Sequence, residues 1–279
     1  MKPDPQAPGE QLPLYGAARP RDAVPQGWVE SAPAALRPYL RLMRMDRPIG
    51  SWLLFLPCVF GLALGAFVKG SLIPNILYVL LTAIGAVLMR GAGCTYNDIV
   101  DRDYDARVAR TAGRPIPSGA VSVAQAWLFA IALSLAGLAV LLSFNAFAIA
   151  LGMGSLFLIA VYPFMKRITW WPQAWLGLTF NWGALFGFAA ETGSIAPSAY
   201  LFYAGCFFWT LGYDTIYAHQ DKEDDILIGV KSSAIKLGEH SKRWIGIFYL
   251  CAFVLMLISG LTAGLGIGFA AAMLAPGAH

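Results

Sequence analysis

The chain has 279 residues, is 58% hydrophobic and only 13% charged, and carries a formal net charge of +4. Soluble domains are about a quarter charged, so this composition excludes an ordinary soluble globular fold. The small positive balance reflects where the charges lie along the chain and gives no reason to expect nucleic acid as a partner.

Residues 1–36 are rich in Pro, Ala and Gln and carry both signs of charge. They lack the apolar core of a secretory signal, and Asp4, Glu10, Asp22 and Glu30 argue against a transit peptide. They read as a disordered cytoplasmic tail ahead of a transmembrane domain over 37–279. Charge-poor stretches then recur at 49–68, 71–89, 123–142, 145–162, 173–190, 199–218 and 244–263. Each is close to the ~20 residues a helix needs to cross hydrocarbon, whereas a β-barrel would need short alternating segments. The fold class is therefore all-α, a polytopic membrane helical bundle. After the seventh span, "LTAGLGIGFAAAMLAPGAH" supplies about twelve apolar residues before Pro276, too few for a full crossing. The expectation is a partial eighth span, with the C-terminal helices of the bundle missing. The four cysteines form no C-x-x-C pair and the three histidines no H-x-x-x-H pattern, so neither a disulfide framework nor a zinc site is indicated.

The basic residues orient the chain. Of the twenty Lys and Arg, seven precede the first span; Arg102, Arg107, Arg110 and Arg114 follow the second, Lys166 and Arg167 the fourth, and five more the sixth. Lys69 alone lies in an opposite loop. The positive-inside rule places the N-terminus and these three loops in the cytoplasm. The alternate connections "VKGSLIP", "SFN" and "ETGSIAPS" are short and nearly uncharged, as expected of tight hairpins.

The second span runs into "GCTYNDIVDRDYD", residues 93–105. A helix advances about 100° per residue, which puts Asn97, Asp98, Asp101 and Asp105 on one face and Asp103 on the other. The sixth span runs into "GYDTIYAHQDKEDD", where the same rule groups Asp214, Asp221 and Asp225 and turns Glu223 away. Asp101-x-x-x-Asp105 and Asp221-x-x-x-Asp225 each follow the second helix of a hairpin and precede a cytoplasmic loop. This implies an internal duplication, two pseudo-repeated half-bundles around a central cavity. An arbitrary D-x-x-x-D at a helix end is usually a hydrated surface. Two copies at one membrane depth point instead to divalent cations, and carboxylate and amide oxygens suit Mg²⁺ completed by phosphate oxygens. Two such clusters can clamp a diphosphate between metals.

The loops hold matching cations. "RTAGRPIPSG" carries Arg110 and Arg114; "VYPFMKR" carries Tyr162 and Lys166 four apart, with Arg167 adjacent. Their plain alternative is to mark the cytoplasmic side, while Arg and Lys are also the usual phosphate binders. Arg90 lies deeper in the second span, where an ionisable residue is a functional candidate by default.

Together with "LMRMDRPIG" and "YDTIYAHQDKEDDILIGVKSSAIKLG", these segments resemble the UbiA superfamily of membrane prenyltransferases. "MRMDRPIG" and "PFMKR" resemble its ubiquinone-pathway branch, which prenylates 4-hydroxybenzoate. The resemblance covers about Leu42 to Gly238. It implies Mg²⁺-dependent transfer of a polyprenyl group from polyprenyl diphosphate to the ring carbon ortho to the hydroxyl of 4-hydroxybenzoate. The metal would be held by Asn97, Asp101, Asp105, Asp221 and Asp225, with Asp98 and Asp214 as auxiliary ligands or proton acceptors. Arg114, Lys166 and Arg167, with Tyr162, would serve the diphosphate. Of the aromatics near this level (Tyr96, Tyr162, Trp209, Tyr213 and Tyr217), Tyr162 and Tyr213 are expected to stabilise the allylic cation. Arg47 and Arg90 are the candidates for the acceptor carboxylate. The expected setting is a bacterial inner membrane with the site facing the cytoplasm, or else a mitochondrial inner membrane, with lipid but no obligatory protein partner. A sister enzyme acting on haem, a naphthoate or homogentisate is the nearer alternative, and an ion transporter the more distant one.

Overall fold

Backbone N–H and C=O groups in hydrocarbon find no water, so each apolar stretch satisfies itself as a helix. The computed structural model describes residues 27–107 and 111–277, and among them there are helices and no strands. In chain order these are α1 (Trp28–Ser31), α2 (Arg37–Leu42), α3 (Ile49–Val68), α4 (Ile76–Asp105), α5 (Val123–Leu141), α6 (Ala146–Ile168), α7 (Pro172–Thr192), α8 (Pro197–Ala218), α9 (Lys222–Ile228), α10 (Ser233–Leu237), α11 (Ser241–Thr262) and α12 (Ile267–Gly277). The polytopic all-α reading holds. The start of the second span moves to Ile76, where the Asn75 side chain caps the helix.

The short hairpins are closed by side-chain caps that also tie neighbouring helices together. Asn145 Oδ1 accepts from the Ala148 N–H at 2.9 Å, starting α6, while its amide donates to the Ala189 and Ala190 carbonyls at the end of α7. On the same side Glu191 accepts from the Asn75 N–H at 3.1 Å, and its carbonyl accepts from Lys69 Nζ at 2.9 Å. α5 begins with a reciprocal capping box between Ser122 and Gln125.

Five stretches among the described residues are long and apolar enough to cross a membrane: α3, α4, α5, α6 and Ser233–Thr262. α7 and α8 have the length, at 21 and 22 residues, but are more polar. The reason is their position. α7 packs against α3, α6 and α8, and none of its residues is exposed. Its polar groups are spent on neighbours rather than lipid. Trp175 and Trp182 donate to the Leu158 and Leu151 carbonyls of α6 at 2.8 and 2.9 Å, and Asn181 donates to Thr210 Oγ1 of α8 at 2.7 Å. Where α3 crosses α7, Gly61 lies so close that a Cβ would strike the Ala184 carbonyl. Small residues give membrane helices this proximity.

The packing repeats. α4 lies against α3 and α5, and α8 lies in the same way against α7 and α11. The symmetry fails at the second acidic motif. α4 continues unbroken through Asp105, but α8 ends at Ala218, and Asp221 (φ −104°, ψ 1°) begins the separate short helix α9. The expectation that Asp214, Asp221 and Asp225 share a face of one continuous helix is therefore corrected. Past Ala218 the chain turns polar, and the helix breaks at His219–Asp221 before α9 begins.

At the N-terminal end, residues 1–26 of the expected tail lie outside the described residues. Residues 27–36 carry α1, with Val29 buried. Arg41 of α2 reaches back to Glu30 at 3.0 Å.

The cations expected on one side do gather there. The Lys231 N–H donates to the Lys166 carbonyl at 2.8 Å, while Lys69 sits at the opposite end beside Glu191. In a cysteine-free background, single cysteines at 114, 166 and 231 should react with an impermeant reagent from the cytoplasmic side only, and one at 69 from the other side only. Labelling of position 166 together with 69 would refute this arrangement.

Candidate active site

The last three turns of α4 bring Asp98, Asp101 and Asp105 into the protein, at 0%, 1% and 7% exposure. Asp103, on the opposite face, has a side chain 73% exposed. Each of the three buried carboxylates is met by cations from other segments. Arg114 Nη1 bridges Asp105 Oδ2 at 2.6 Å and Asp98 Oδ1 at 3.2 Å. Lys166 Nζ donates to Asp101 Oδ2 at 2.6 Å, and Arg167 Nη2 to Asp101 Oδ1 at 2.8 Å. Asn97 adds its amide to Asp101 at 3.2 Å. Arg167 also stacks on Tyr104, 4.5 Å from the ring centroid.

Arg44 is the fourth cation, and reading the sequence did not single it out. Its Nη2 donates to Asp98 Oδ1 at 2.5 Å in a buried pair. Its backbone is left-handed (φ 59°), the one described non-glycine residue with positive φ. An L-residue there bears roughly 1–2 kcal/mol of strain, which the buried pair offsets. Burial alone would lower the Arg44 pKa, but the Asp98 carboxylate outweighs that and leaves it raised, so the guanidinium stays charged. Arg41, Arg44 and Arg47 are equally spaced in the sequence, and only the strained turn decides that Arg44 points inward.

The cavity beside this cluster has a volume of about 530 Å³, within the range of small-ligand sites. Arg44, Asn97 and Arg114 lie at its polar end; Arg90, Cys94, Tyr162 and Phe180 line its middle; Phe144 and Phe186 lie deeper. The walls come from α3 to α7, and α8 contributes no lining residue. The second acidic cluster reaches the cavity electrostatically: Asp214 and Asp101 both act on Tyr162, and Asp221 acts on Asp214. Tyr213 is within reach of both Asp214 and Arg90, and its hydroxyl lies beside the Thr210 side chain.

Other expected residues lie elsewhere. Arg47 sits 3.5 Å from Asp46 and does not line the cavity. Tyr96 donates to the Ala160 carbonyl, and Trp209 and Tyr217 are exposed. Arg110 falls outside the described residues. Phe180 and Gly50, both beside Arg90, carried no signal in the sequence.

The expected metal ligands are not gathered around a common point. No group of three or more Asp, Glu, His or Cys among the described residues is arranged to hold a metal ion, because Asp101 and Asp105 are turned onto Lys166, Arg167 and Arg114 instead. The donor chemistry still fits a hard cation. The candidate ligands are all oxygen donors, and Asp98 Oδ2 is buried with no hydrogen-bond partner.

Residues 54–279 match the model of the UbiA prenyltransferase family. The chain is 49% identical over 276 residues to the mitochondrial 4-hydroxybenzoate polyprenyltransferase of Homo sapiens, covering 99% of this chain and 71% of that protein. Among solved structures, an apo UbiA homolog from Aeropyrum pernix K1 superposes with a TM-score of 0.66 at 29% identity, over 77% of this chain and 80% of that one. A UbiA homolog from Archaeoglobus fulgidus bound to GPP and Mg²⁺ shares the fold, with a TM-score of 0.60 at 22% identity, over 81% and 83%. On these matches, the chain belongs to the UbiA prenyltransferase family.

Proposed function

We propose that this protein transfers a polyprenyl group from polyprenyl diphosphate to the carbon ortho to the hydroxyl of 4-hydroxybenzoate, a step of ubiquinone biosynthesis. The observation that carries the reading is a cluster of four cations on three buried carboxylates, opening onto an apolar cavity. Arg44, Arg114, Lys166 and Arg167 outnumber the α4 carboxylates Asp98, Asp101 and Asp105 by one charge, which brings phosphate-binding donors to this mouth. The near-half identity to proteins named as 4-hydroxybenzoate polyprenyltransferases supports that acceptor over haem, naphthoate or homogentisate. Family membership speaks against an ion transporter.

The diphosphate would lie against Arg114, Lys166 and Arg167, whose donors are already poised there, with Tyr162 on the adjoining wall. Asn97, Asp101, Asp105, Asp221 and Asp225 would hold Mg²⁺; a divalent cation is supported by the UbiA homolog from Archaeoglobus fulgidus, solved with Mg²⁺ or Cd²⁺ bound. When bound, the metal supplies charge neutralisation for the departing diphosphate. The cations released from Asp101 and Asp105 are then free for phosphate oxygens.

As the C–O bond to diphosphate breaks, the ring carbon forms the new C–C bond and the ring proton must leave. Asp98 is a poor base because Arg44 and Arg114 both hold it. Asp214 has no cation partner among the described residues but lies behind the cavity wall, so as the proton acceptor it would work by relay through a group that lines the cavity, such as Tyr162. Phe180 and Tyr162 offer π-faces to the allylic cation, and the dry wall keeps water from capturing it.

The acceptor carboxylate needs a cation away from the diphosphate. Arg90 meets this need: its Nε is buried without a hydrogen-bond partner, and it forms no ion pair among the described residues. Tyr213 stands beside it. The relatives named above are mitochondrial, which fits the mitochondrial inner membrane as the setting; the chemistry at the positively charged face is the same in a bacterial inner membrane.

Two sets of variants test this. Asp101→Asn and Asp221→Asn should abolish transfer in membranes supplied with labelled 4-hydroxybenzoate, prenyl diphosphate and Mg²⁺, as should a chelator. Exposed Asp103 and Glu223 should tolerate alanine with most activity kept, and an essential Asp103 would contradict the facing of α4. Arg90→Leu should raise the KM for 4-hydroxybenzoate on the order of 10- to 150-fold, from the roughly 1.5–3 kcal/mol of a hydrogen bond to a charged group. Lys166→Ala should act on the diphosphate substrate instead. Arg47→Leu should change the acid KM little, and steady-state kinetics with each substrate varied in turn would show otherwise.

A further inference from the structure

Gly50 lies in the first turn of α3 and is buried. Its backbone is helical, so no unusual conformation calls for glycine, and glycine within a helix costs about 0.5–1 kcal/mol relative to alanine. What calls for it is space. The three atoms that a Cβ at position 50 would meet first are Nη2, Cζ and Nε of Arg90, each inside van der Waals contact. On the α7 side the same guanidinium lies 5.6 Å from the centroid of the Phe180 ring. Arg90 therefore sits in a slot with the bare backbone of α3 and an aromatic ring as two of its walls.

This glycine differs from its neighbours on the same helix interface. At Gly61 and Gly187 a Cβ would strike the Ala184 and Cys58 carbonyls, which are rigid helix backbone, so those glycines serve packing. At Gly50 the obstacle is the tip of one flexible side chain, and that side chain lines the cavity.

We infer that Gly50 is a positioning residue for the acceptor: it leaves room for the Arg90 guanidinium against the cavity wall and so sets the preference for a carboxylated ring. The inference rests on the reading of Arg90 as the carboxylate partner. It assigns specificity to a residue with no functional group of its own, on a different helix from either acidic motif. A methyl group at position 50 would leave the charge in place but move it, which loses a directional bond almost as fully as deleting it.

The test is a cycle of Gly50→Ala, Arg90→Leu and the double variant, each purified with Mg²⁺. Binding of 4-hydroxybenzoate is compared with that of 4-hydroxybenzamide, its uncharged isostere, together with the KM for each substrate. The wild type should prefer the acid by on the order of 10-fold or more. Gly50→Ala should lose most of that preference, the double variant should lose no more than Arg90→Leu alone, and the KM for prenyl diphosphate should stay within about twofold. If Arg90→Leu loses the preference and Gly50→Ala keeps it, the role of Gly50 is refuted and the acceptor reading stands. If Arg90→Leu keeps it, the acceptor reading itself fails, and the role of Gly50 with it. A Gly50→Ala variant that weakens both substrates alike, or adds its full effect to Arg90→Leu, would mark a general packing defect and overturn the inference. Thermal unfolding provides a second readout: any destabilisation by Gly50→Ala should be relieved when Arg90 is truncated, and persistence in the double variant would refute the slot.

Discussion

Three carboxylates buried at the end of a membrane helix must be neutralised, and the structure is arranged around that requirement. Asp98, Asp101 and Asp105 come from one helix, but their partners come from three other places: Arg44 from the turn before α3, Arg114 from the loop after α4, and Lys166 with Arg167 from the end of α6. Removing one partner of such a pair typically costs about 3–5 kcal/mol, because the other charge is left buried alone. The charged ends of α3, α4 and α6 are thereby tied to one another more firmly than apolar packing in lipid could achieve, since lipid solvates apolar side chains as well as a neighbouring helix does.

α7 does the corresponding work in the interior. Every one of its residues is at least partly covered, and its indoles and amide reach α6 on one side and α8 on the other. Its start is joined to the segment after α9, where Gln173 accepts from the Ser233 N–H at 3.0 Å and Ser233 meets Thr215 of α8 at 2.8 Å. The two acidic motifs thus belong to halves coupled through one central helix. That coupling is what allows Asp214, on α8, to act on Tyr162, on α6, although α8 lines none of the cavity.

Much of this was legible in the sequence. The long helices and the shared face of Asn97, Asp98, Asp101 and Asp105 follow from hydrophobic length and helical period, because α4 is a single regular helix. The same period misled at Asp221, since it applies only while the helix continues, and α8 stops at Ala218. The choice between Arg44 and Arg47 was not legible either. It depends on one left-handed residue in a turn, and local spacing carries no record of that. Gly50 and Phe180 were invisible for a related reason: each matters through a contact with Arg90, on a different helix, and no motif marks a contact between distant spans. Each of the seven charge-poor stretches lies on a long helix, α7 and α8 included although they are more polar than lipid-facing helices, because charge, more than mean hydropathy, is what they lack.

The paired and unpaired charges divide the labour within one cavity. At the mouth, every buried carboxylate of α4 has its cation, so on the proposed reading a diphosphate would bind there by taking over cations that the carboxylates now hold. Such an exchange keeps the total charge balanced at each stage, and the desolvation of those groups has already been met in folding. Two turns deeper, Arg90 has no anion to exchange with among the described residues, and its Nε is buried without a hydrogen bond. A buried group left in that state is costly to the folded protein and gains most from a ligand that completes it. An anionic ring entering beside Phe180 would complete it, whereas an uncharged ring would leave it as it stands. On the proposed reading, selectivity for the acceptor would come from an unmet requirement in the free protein, and selectivity for the diphosphate from an exchange of requirements already met. The two substrates can therefore be bound by cations of the same kind without competing for the same site.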